Sequence, residues 1–216
     1  MHYRLIPNSF HFENLSLFNT SYRGLHMKNN TYENDVRILG GKFKGKLLPV
    51  LDVEGLRPTP SRVRETIFSW IKDSLGNAKV LDLFAGSGAL GLEAYSRGAK
   101  DVTLVELDKD NSSNLKEIAK SMSYDEIHVI NEDALHFLDN VSSTFNIVFI
   151  DPPYKLDIYE KVLEKLLDKN LIDDDSLIYV EMRNGSNKIV PGYEIIREEN
   201  AGQSKYSLWT KSKLLF

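Results

Sequence analysis

The sequence contains no cysteine, and its five histidines show no spacing typical of a metal site. Without cysteine the chain has no disulfide, no thiol nucleophile and no cysteine-bound zinc, which suits a reducing compartment. No apolar run approaches the roughly 20 residues that a membrane helix needs. Residues 1–35 contain no sustained apolar core of a secretory signal. We therefore expect a cytoplasmic protein with no metal and no membrane partner.

The net charge of −4 argues against a nucleic-acid partner, but the charge is unevenly distributed. Residues 36–64 hold seven bases and two acids, whereas residues 65–216 hold 17 bases and 26 acids. A basic segment joined to an acidic body is typical of a local surface that binds polyanions, and a solvated basic face is the alternative. The seven bases are Arg37, Lys42, Lys44, Lys46, Arg57, Arg62 and Arg64.

Composition divides the chain into three segments: a leader over residues 1–35, a basic arm over residues 36–75 and a body over residues 76–216. The leader is rich in Asn, Ser, Tyr and Phe without a period, so we expect it to be disordered or not translated. In the arm, the glycines of VRILGGKFKGKLLPV predict short strands joined by turns. The arm then continues into RPTPSRVRETIFSWI, which has the apolar spacing of a helix.

The predicted arm helix has Thr59 as its cap and Pro60 in its first turn. Its apolar residues lie at helical spacing on one face, and Arg62 and Arg64 lie off that face. We therefore expect both arginines to be available at the surface.

The body alternates apolar strands with helices, which predicts a parallel sheet covered on both faces. The predicted strands are 80–84, 102–106, 127–130, 145–150 and 177–182, and the predicted helices are 89–97, 108–122, 133–139 and 157–169. Two further strands, 193–198 and 206–211, flank AGQSK and predict a terminal hairpin. The expected fold is a doubly wound, Rossmann-like α/β sheet with an antiparallel C-terminal hairpin, preceded by a small hairpin and helix.

A glycine loop follows the first strand of the body in VLDLFAGSGALGLEA. Gly86, Gly88 and Gly91 form G-x-G-x-x-G between a strand and a helix, the context in which this motif binds nucleotides. A glycine turn without a ligand is the alternative. Glu106 ends the second strand and can accept hydrogen bonds from ribose hydroxyls. Asp133 follows the third strand at the same edge, where it can also cap a helix.

The edge that carries this loop is acidic, and the loop AGSGALG contains no base. A pyrophosphate needs positive potential, whereas a sulfonium and an α-amino group suit carboxylates. The pattern therefore favours S-adenosylmethionine over NAD, although an NAD-dependent oxidoreductase and a non-catalytic RNA-binding module stay open. The candidate cofactor-binding residues are Asp82, Phe84, Ala85, Gly86, Gly88, Glu106, Asp133 and Ala134.

The fourth strand of the body ends in a stiff elbow, Asp151-Pro152-Pro153-Tyr154. With LDLFAGSGALG before it, this elbow resembles that of methyltransferases acting on exocyclic amines of bases, and a rigid turn is the alternative. Further motifs across residues 36–211 resemble the bacterial RsmD-type family. These motifs are RILGGKFKGKLL, RPTPSRVRETIFSWI, LDLFAGSGALGLEAYSRGA, NIVFIDPPY, LIYVE and AGQSKYSLW.

The resemblance implies transfer of a methyl group from S-adenosylmethionine to N2 of one guanine in small-subunit (16S) ribosomal RNA. It further implies a monomer whose substrate is this RNA, within an assembling 30S particle. The seven bases of the arm would bind RNA phosphates, with Arg57 and Thr59 nearest the target nucleotide. An N6-adenine methyltransferase with the same elbow is the alternative.

The chemistry of an amine explains the elbow. The lone pair of an exocyclic amine is delocalised into the ring, so acceptors at its N–H groups localise the pair. Asp151 and the carbonyl of Pro152 can accept, and the prolines hold these acceptors because they fix φ. Tyr154 offers a face for stacking of an extruded base. Asp151 favours guanine, because N1–H and N2–H₂ are both donors.

Overall fold

The structure, a computed structural model, describes residues 36–51, 59–123, 125–153, 155–186 and 189–213. The predicted leader, Arg57 and Tyr154 lie outside these ranges. Within them, no helix is long and apolar enough to cross a membrane. The same ranges contain no group of three or more His, Asp and Glu side chains that could hold a metal ion.

The arm begins with a two-stranded antiparallel sheet, β1 (Val36–Arg37) and β2 (Leu47–Leu48), in which Val36 lies opposite Leu48. The turn between them folds back through hydrogen bonds from Ile38 N to Lys46 O and from Gly45 N to Ile38 O. Short strands joined by turns are therefore confirmed. Helix α1 (Ser61–Trp70) follows, and a single 3₁₀ turn (Lys72–Ser74) leads into the body.

The body is one seven-stranded sheet in the order β5-β4-β3-β6-β7-β9-β8. Strands β3 to β7 are parallel, β9 is antiparallel to β7, and β8 is antiparallel to β9. The predicted fold is confirmed, including the terminal hairpin. The elements are β3 (Lys79–Asp82), α2 (Gly91–Ser96), β4 (Asp101–Glu106), α3 (Lys109–Met122), β5 (Ile127–Asn131), α4 (Ala134–Asn140), β6 (Phe145–Ile150), α5 (Tyr159–Asp168), β7 (Ile172–Arg183), β8 (Tyr193–Ala201) and β9 (Ser204–Lys211).

The sheet separates two apolar cores, which is why residues 147–150 of its central strand are apolar without alternation. In β6, Ile147 and Phe149 join the core beneath α1, α2 and α3, whereas Val148 and Ile150 join the core beneath α4 and α5. All four side chains are fully buried. Successive residues of a strand face opposite sides, so a strand covered on both sides needs apolar residues throughout.

The observed boundaries differ little from the predicted ones, except in β7. Helices α2 to α5 begin and end within two residues of the predicted positions. Strand β7 begins at Ile172 rather than Leu177, because Ile172 pairs with Phe145 before the register shifts. Its first residues after Ile172 are exposed and acidic, so hydropathy alone did not identify them as strand.

Two predictions about α1 are wrong. Pro60 precedes the helix and no side chain caps it; the Thr59 hydroxyl instead donates to Asp151 Oδ2 at 3.3 Å. Arg64 is 2% exposed rather than directed to solvent. The buried face of α1 includes Arg64 because a carboxylate, Glu93 of α2, lies beneath it.

The buried partner of Arg64 joins the arm to the body. Glu93 is fully buried and accepts hydrogen bonds from the backbone N–H groups of Leu39 (2.7 Å) and Gly40 (2.8 Å). It also accepts from Arg97 Nε at 2.7 Å and from Arg64 Nη1 at 3.4 Å. A buried charge is tolerated when it is paired and hydrogen-bonded. These donors come from the β1–β2 turn, α1 and α2, so Glu93 fixes their relative positions.

The C-terminal end of α2 reinforces this junction. Ser96 O accepts from Lys42 N at 2.7 Å, and Ser96 Oγ donates to Gly40 O at 2.6 Å. The approach is so close that a Cβ on Gly41, whose φ is +78°, would lie 1.8 Å from Ser96 O. Only glycine fits this position, which accounts for Gly41 in the sequence.

We predict that Glu93→Ala lowers the free energy of unfolding by about 3–5 kcal/mol, because it leaves the Arg64 guanidinium buried without its carboxylate partner. Urea unfolding followed by circular dichroism measures the change. The control is Glu117→Ala, which removes an exposed ion pair with Lys120 and should leave the midpoint almost unchanged. Equal midpoints for the two variants would contradict the role assigned to Glu93.

Candidate active site

The carboxyl ends of the parallel strands meet at one edge of the sheet and carry acids. Asp82 ends β3, Glu106 ends β4, and Asp151 directly follows β6. Strand β3 lies between β4 and β6, so the strand order reverses beside it. Ligands of open α/β sheets bind outside the carboxyl ends of the strands at such a switch point. The structure therefore brings the predicted acids together at the position where a ligand is expected.

The glycine loop lies at this edge and is held by Glu106. Gly86 (φ +52°) and Gly88 (φ +74°) adopt the left-handed conformation that favours glycine. Glu106 Oε2 accepts from Gly86 N at 2.9 Å, and Oε1 accepts from Asp108 N at 2.8 Å. Burial raises the pKa of Glu106, and the N–H groups of Asp108 and Gly86 oppose that effect. The Asn111 side chain also donates to Glu106 and lowers this pKa, which leaves about one of the roughly four lone-pair sites of the carboxylate for a ligand.

Asp82 fixes the other end of the loop. It is buried, and its Oδ2 accepts from Gly91 N, in the first turn of α2, at 2.9 Å. Burial raises the pKa of Asp82 to about 7, and the negative charge of Glu106 adds to this effect. The N–H groups of Gly91 and Phe84 act in the opposite direction. At neutral pH this carboxyl group is therefore partly protonated.

The third strand supplies a helix cap. Asp133 Oδ1 accepts from Leu135 N at 2.9 Å and from His136 N at 3.0 Å, so the alternative role as the cap of α4 is confirmed. Because Oδ1 makes both capping bonds, Oδ2 is the oxygen that can take a ligand. Ala134 is the buried first residue of α4, Ala85 is buried in the glycine loop, and Phe84 is half-buried.

The elbow leaves the sheet as predicted, with Asp151 half-buried, Pro152 buried and Pro153 exposed. Pro153 O accepts from Leu156 N at 2.8 Å, which closes the turn. Burial raises the pKa of Asp151 well above its ordinary value, and the charges of Glu181 and Asp82 add to this effect. The Thr59 hydroxyl opposes it by donating to Asp151.

Sequence reasoning missed Glu181 and Tyr179 of β7. In the register of β6 and β7, Ile150 lies opposite Val180, so Asp151 lies beside Glu181. Both missed side chains are buried, and the Tyr179 hydroxyl donates to Glu181 Oε2 at 2.7 Å. The sequence did contain a signal for Glu181, because LIYVE (177–181) is an apolar strand that ends in an acid. The segments LVE (104–106) and FID (149–151) end in the same way.

Most of the predicted basic residues lie on the surface of the arm. Those with exposed side chains are Arg37, Lys42, Lys44 and Arg62, and Lys46 is half-buried. Arg37 Nη1 donates to Gly45 O at 3.0 Å, and the Lys42 ammonium lies 5.3 Å from the centroid of the Phe43 ring. Arg64 is separate from this surface, because its guanidinium donates to Thr59 O, Arg37 O, Ser61 Oγ and Glu93.

Known proteins are similar to the chain over almost all of the described residues. The family model described as "Conserved hypothetical protein 95" matches residues 36–210. Ribosomal RNA small subunit methyltransferase D of Escherichia coli K12 is 40% identical over 185 residues, which covers 85% of this chain and 93% of that protein. The Haemophilus influenzae protein of the same name is 39% identical over 182 residues, or 82% and 94%.

The same similarity extends to three dimensions. The solved structure of a putative methyltransferase, yhhF, from Escherichia coli has a TM-score of 0.76 and 39% sequence identity. The match covers 82% of this chain and 98% of that chain. At this identity the likeness concerns both sequence and fold.

The shifted pKa of Asp82 predicts a pH-dependent effect of Asp82→Asn. Between its ordinary pKa of 3.8 and the folded value of about 7, the folded state binds more protons than the unfolded state, so this carboxyl group makes stability fall as pH rises. Asp82→Asn keeps an oxygen that can accept from Gly91 N and removes the fall in stability that the carboxyl group causes as pH rises. Its free energy of unfolding should therefore rise relative to wild type between pH 5 and pH 8, by at most about 3 kcal/mol.

Urea unfolding at the two pH values measures this difference. The control is Asp139→Asn, because the contact with Lys165 lowers the pKa of Asp139. The stabilisation that Asp139 provides is lost only as pH falls through its lowered pKa, below this window, so the Asp139→Asn curve should run parallel to wild type between pH 5 and pH 8. Parallel stability curves for Asp82→Asn and wild type would contradict the assignment.

Proposed function

The chain belongs to the family described as conserved hypothetical protein 95, and we propose that it transfers a methyl group from S-adenosylmethionine to the exocyclic N2 amine of one guanine in small-subunit (16S) ribosomal RNA. The relatives named ribosomal RNA small subunit methyltransferase D support the substrate class. The observation that carries the reaction is the placement of Asp151 beside the glycine loop at the switch point of the sheet.

The donors and acceptors at the edge suit S-adenosylmethionine. Glu106 and Asp133 each retain lone-pair capacity for hydroxyl, amino or ammonium donors, and the buried Asp82 adds negative charge when it is ionised. When bound, S-adenosylmethionine supplies a methyl carbon made electrophilic by a sulfonium. Carboxylates at this edge stabilise its positive charges, and the glycine loop has a conformation that lets a ligand approach the backbone. Phe84, Ala85, Gly88 and Ala134 complete the proposed cofactor site.

Asp151 is the proposed acceptor for the target amine. A carboxylate and a carbonyl, that of Pro152, can each take one N–H of the amine and localise its lone pair. Pro152 and Pro153 hold these acceptors because they fix φ and carry no N–H. The proposal keeps Tyr154 as the stacking face for the base. Guanine fits better than adenine, because its N1–H and N2–H₂ edge presents donors only.

The proposed RNA surface consists of the arm over residues 36–75, which precedes a methyltransferase domain over residues 76–216. Its phosphate-binding residues are Arg37, Lys42, Lys44, Lys46, Arg57 and Arg62. We leave Arg64 out, because its guanidinium already binds Glu93 and three other groups. Thr59 contacts Asp151, so it remains the arm residue proposed nearest the target nucleotide.

The proposal also covers the assembly in which the enzyme acts. We propose a cytoplasmic monomer whose substrate is 16S ribosomal RNA within an assembling 30S particle. Tritiated S-adenosylmethionine, small-subunit ribosomal RNA and a nucleoside digest test this, with the RNA supplied alone and with ribosomal proteins bound. The expected product is N2-methylguanosine. N6-methyladenosine would favour the adenine alternative, and preferential binding of NAD in calorimetry would contradict the cofactor.

Asp151→Ala should abolish methyl transfer, because the amine loses its charged acceptor, while the Kd for S-adenosylmethionine stays within about tenfold of wild type. Calorimetry measures binding, and single-turnover transfer of the tritiated methyl group measures chemistry. The control is Asp157→Ala, an exposed acid just beyond the elbow, which should retain the wild-type rate. Activity in Asp151→Ala would overturn the catalytic assignment.

The double variant Lys42→Gln, Lys44→Gln should weaken RNA binding and flatten its salt dependence. Removing one lysine–phosphate interaction reduces the slope of log K against log salt by about 1. Filter binding measures the slope at salt concentrations from about 50 to about 200 mM, where phosphate contacts change the affinity strongly. The control is Lys161→Gln, which changes an exposed lysine of α5 across the sheet from the arm. Equal slopes for both proteins would remove the arm from the RNA surface.

A further inference from the structure

We infer that Glu181 is a positioning residue for Asp151, and that its neighbouring charge prepares Asp151 to receive the proton that the amine loses when it is methylated. The inference rests on the proposed function and extends it to a residue outside the DPPY elbow. It concerns the step after the new bond forms, when the methylated nitrogen carries a positive charge and an N–H to lose.

The register of the sheet places the two carboxylates side by side. Ile150 of β6 lies opposite Val180 of β7, and the next residues in these parallel strands are Asp151 and Glu181. Neighbouring strands are about 4.8 Å apart. Residues at the same register direct their side chains to the same face of the sheet.

The face on which they lie is the one covered by the arm helix. Phe149 and Tyr179, each two positions earlier in its strand, belong to the core beneath α1 and have ring centroids 6.1 Å apart. Because a strand alternates with a period of two, Asp151 and Glu181 face the same side. The contact from Thr59, just before α1, to Asp151 agrees with this orientation.

Each carboxylate is oriented by one hydroxyl group. Thr59 Oγ1 donates to Asp151 Oδ2 at 3.3 Å, and the Tyr179 hydroxyl donates to Glu181 Oε2 at 2.7 Å. The charged and titratable groups on the neighbouring elements include Asp82 on β3, Tyr179 on β7, Tyr206 and Lys205 on β9, and Arg62 and Arg64 on α1. Lys205 forms an ion pair with Glu198, and Arg64 with Glu93.

The pair differs from a lone aspartate in basicity. Burial, and then the negative charge of Glu181, raise the pKa of Asp151 well above its ordinary value. A general base works best when its pKa lies near the working pH, and an ordinary aspartate is too weak a base at neutral pH. Glu181 therefore strengthens Asp151 as a base without touching the amine itself.

Atoms and electrons balance in this step. The nitrogen lone pair forms the new N–C bond, and the electron pair of the broken C–S bond stays on sulfur. The nitrogen is then cationic, and its N–H proton moves to an Asp151 oxygen, which restores the neutral amine and leaves a carboxylic acid. Solvent takes that proton before the next turnover, so no further reactant is required.

Infrared titration of the protein without cofactor or RNA tests the pair directly. Wild type should show a protonated carboxyl band that is absent in Asp151→Asn and that persists to a higher pH than in an ordinary aspartate. Glu181→Gln removes one of two neighbouring negative charges, so this band should titrate at lower pH. The acid limb of kcat should move the same way, and kcat above that limb should fall by about tenfold or more.

Two further variants separate charge from shape. Tyr179→Phe removes the hydrogen bond to Glu181 but keeps both carboxylates, so the Asp151 band should not move to lower pH. Glu181→Asp keeps the charge and should restore the high-pH position of the band. A merely structural role for Glu181 would make Glu181→Gln and Tyr179→Phe behave alike, with a loss of stability and no movement of the band.

The outcomes for the two proposals are distinct. If wild type methylates guanine while its Asp151 band titrates as an ordinary aspartate, or does not respond to Glu181→Gln, the inference is wrong and the proposed function stands. If wild type neither binds S-adenosylmethionine in calorimetry nor methylates RNA, the proposed function fails whatever the titration gives.

Discussion

The junction between the arm and the body depends on one buried carboxylate, that of Glu93. It is fully buried and accepts from two guanidinium groups and two backbone N–H groups. A buried anion with fewer donors would be unstable, because desolvation exceeds what a single pairing returns. The donors belong to the β1–β2 turn, α1 and the C-terminal end of α2, so the position of each element depends on the other two. Helix α2 directly follows the glycine loop, and the proposed RNA surface and cofactor loop thus share one rigid junction.

The active-site edge has the opposite charge balance. Asp82 accepts from the N–H of Gly91, Asp151 from the Thr59 hydroxyl and Glu181 from the Tyr179 hydroxyl. Burial is the main cause of the raised pKa of Asp151, and the negative charges of Glu181 and Asp82 add to it. This arrangement destabilises the folded state when these carboxyl groups are ionised, which is usual at sites where function and stability compete. It suits chemistry in which positive charge arrives with the methyl donor and then develops on the amine.

The fold could be predicted because its signals are local. Apolar runs, helical spacing and a glycine loop between strand and helix are all visible within short windows of sequence. The features that were missed are non-local. Arg64 looks like a surface residue until Glu93, 29 positions away, is known to lie beneath it. Thr59 looks like a helix cap until Asp151, 92 positions away, accepts its hydroxyl. Glu181 gains significance only from the order of strands, because β7 lies next to β6.

These non-local contacts connect the two halves of the proposed mechanism. Glu93 binds Arg64, Arg64 Nε donates to Thr59 O at 3.2 Å, and the Thr59 hydroxyl reaches Asp151. Asp151, the proposed acceptor of the target amine, is thus contacted from one side by the arm and neighbours β7 on the other. The DPPY elbow supplies a rigid carboxylate, but its environment is set by residues distant in sequence. An elbow of the same sequence in a chain without this arm and this neighbouring strand would hold a weaker and less constrained base.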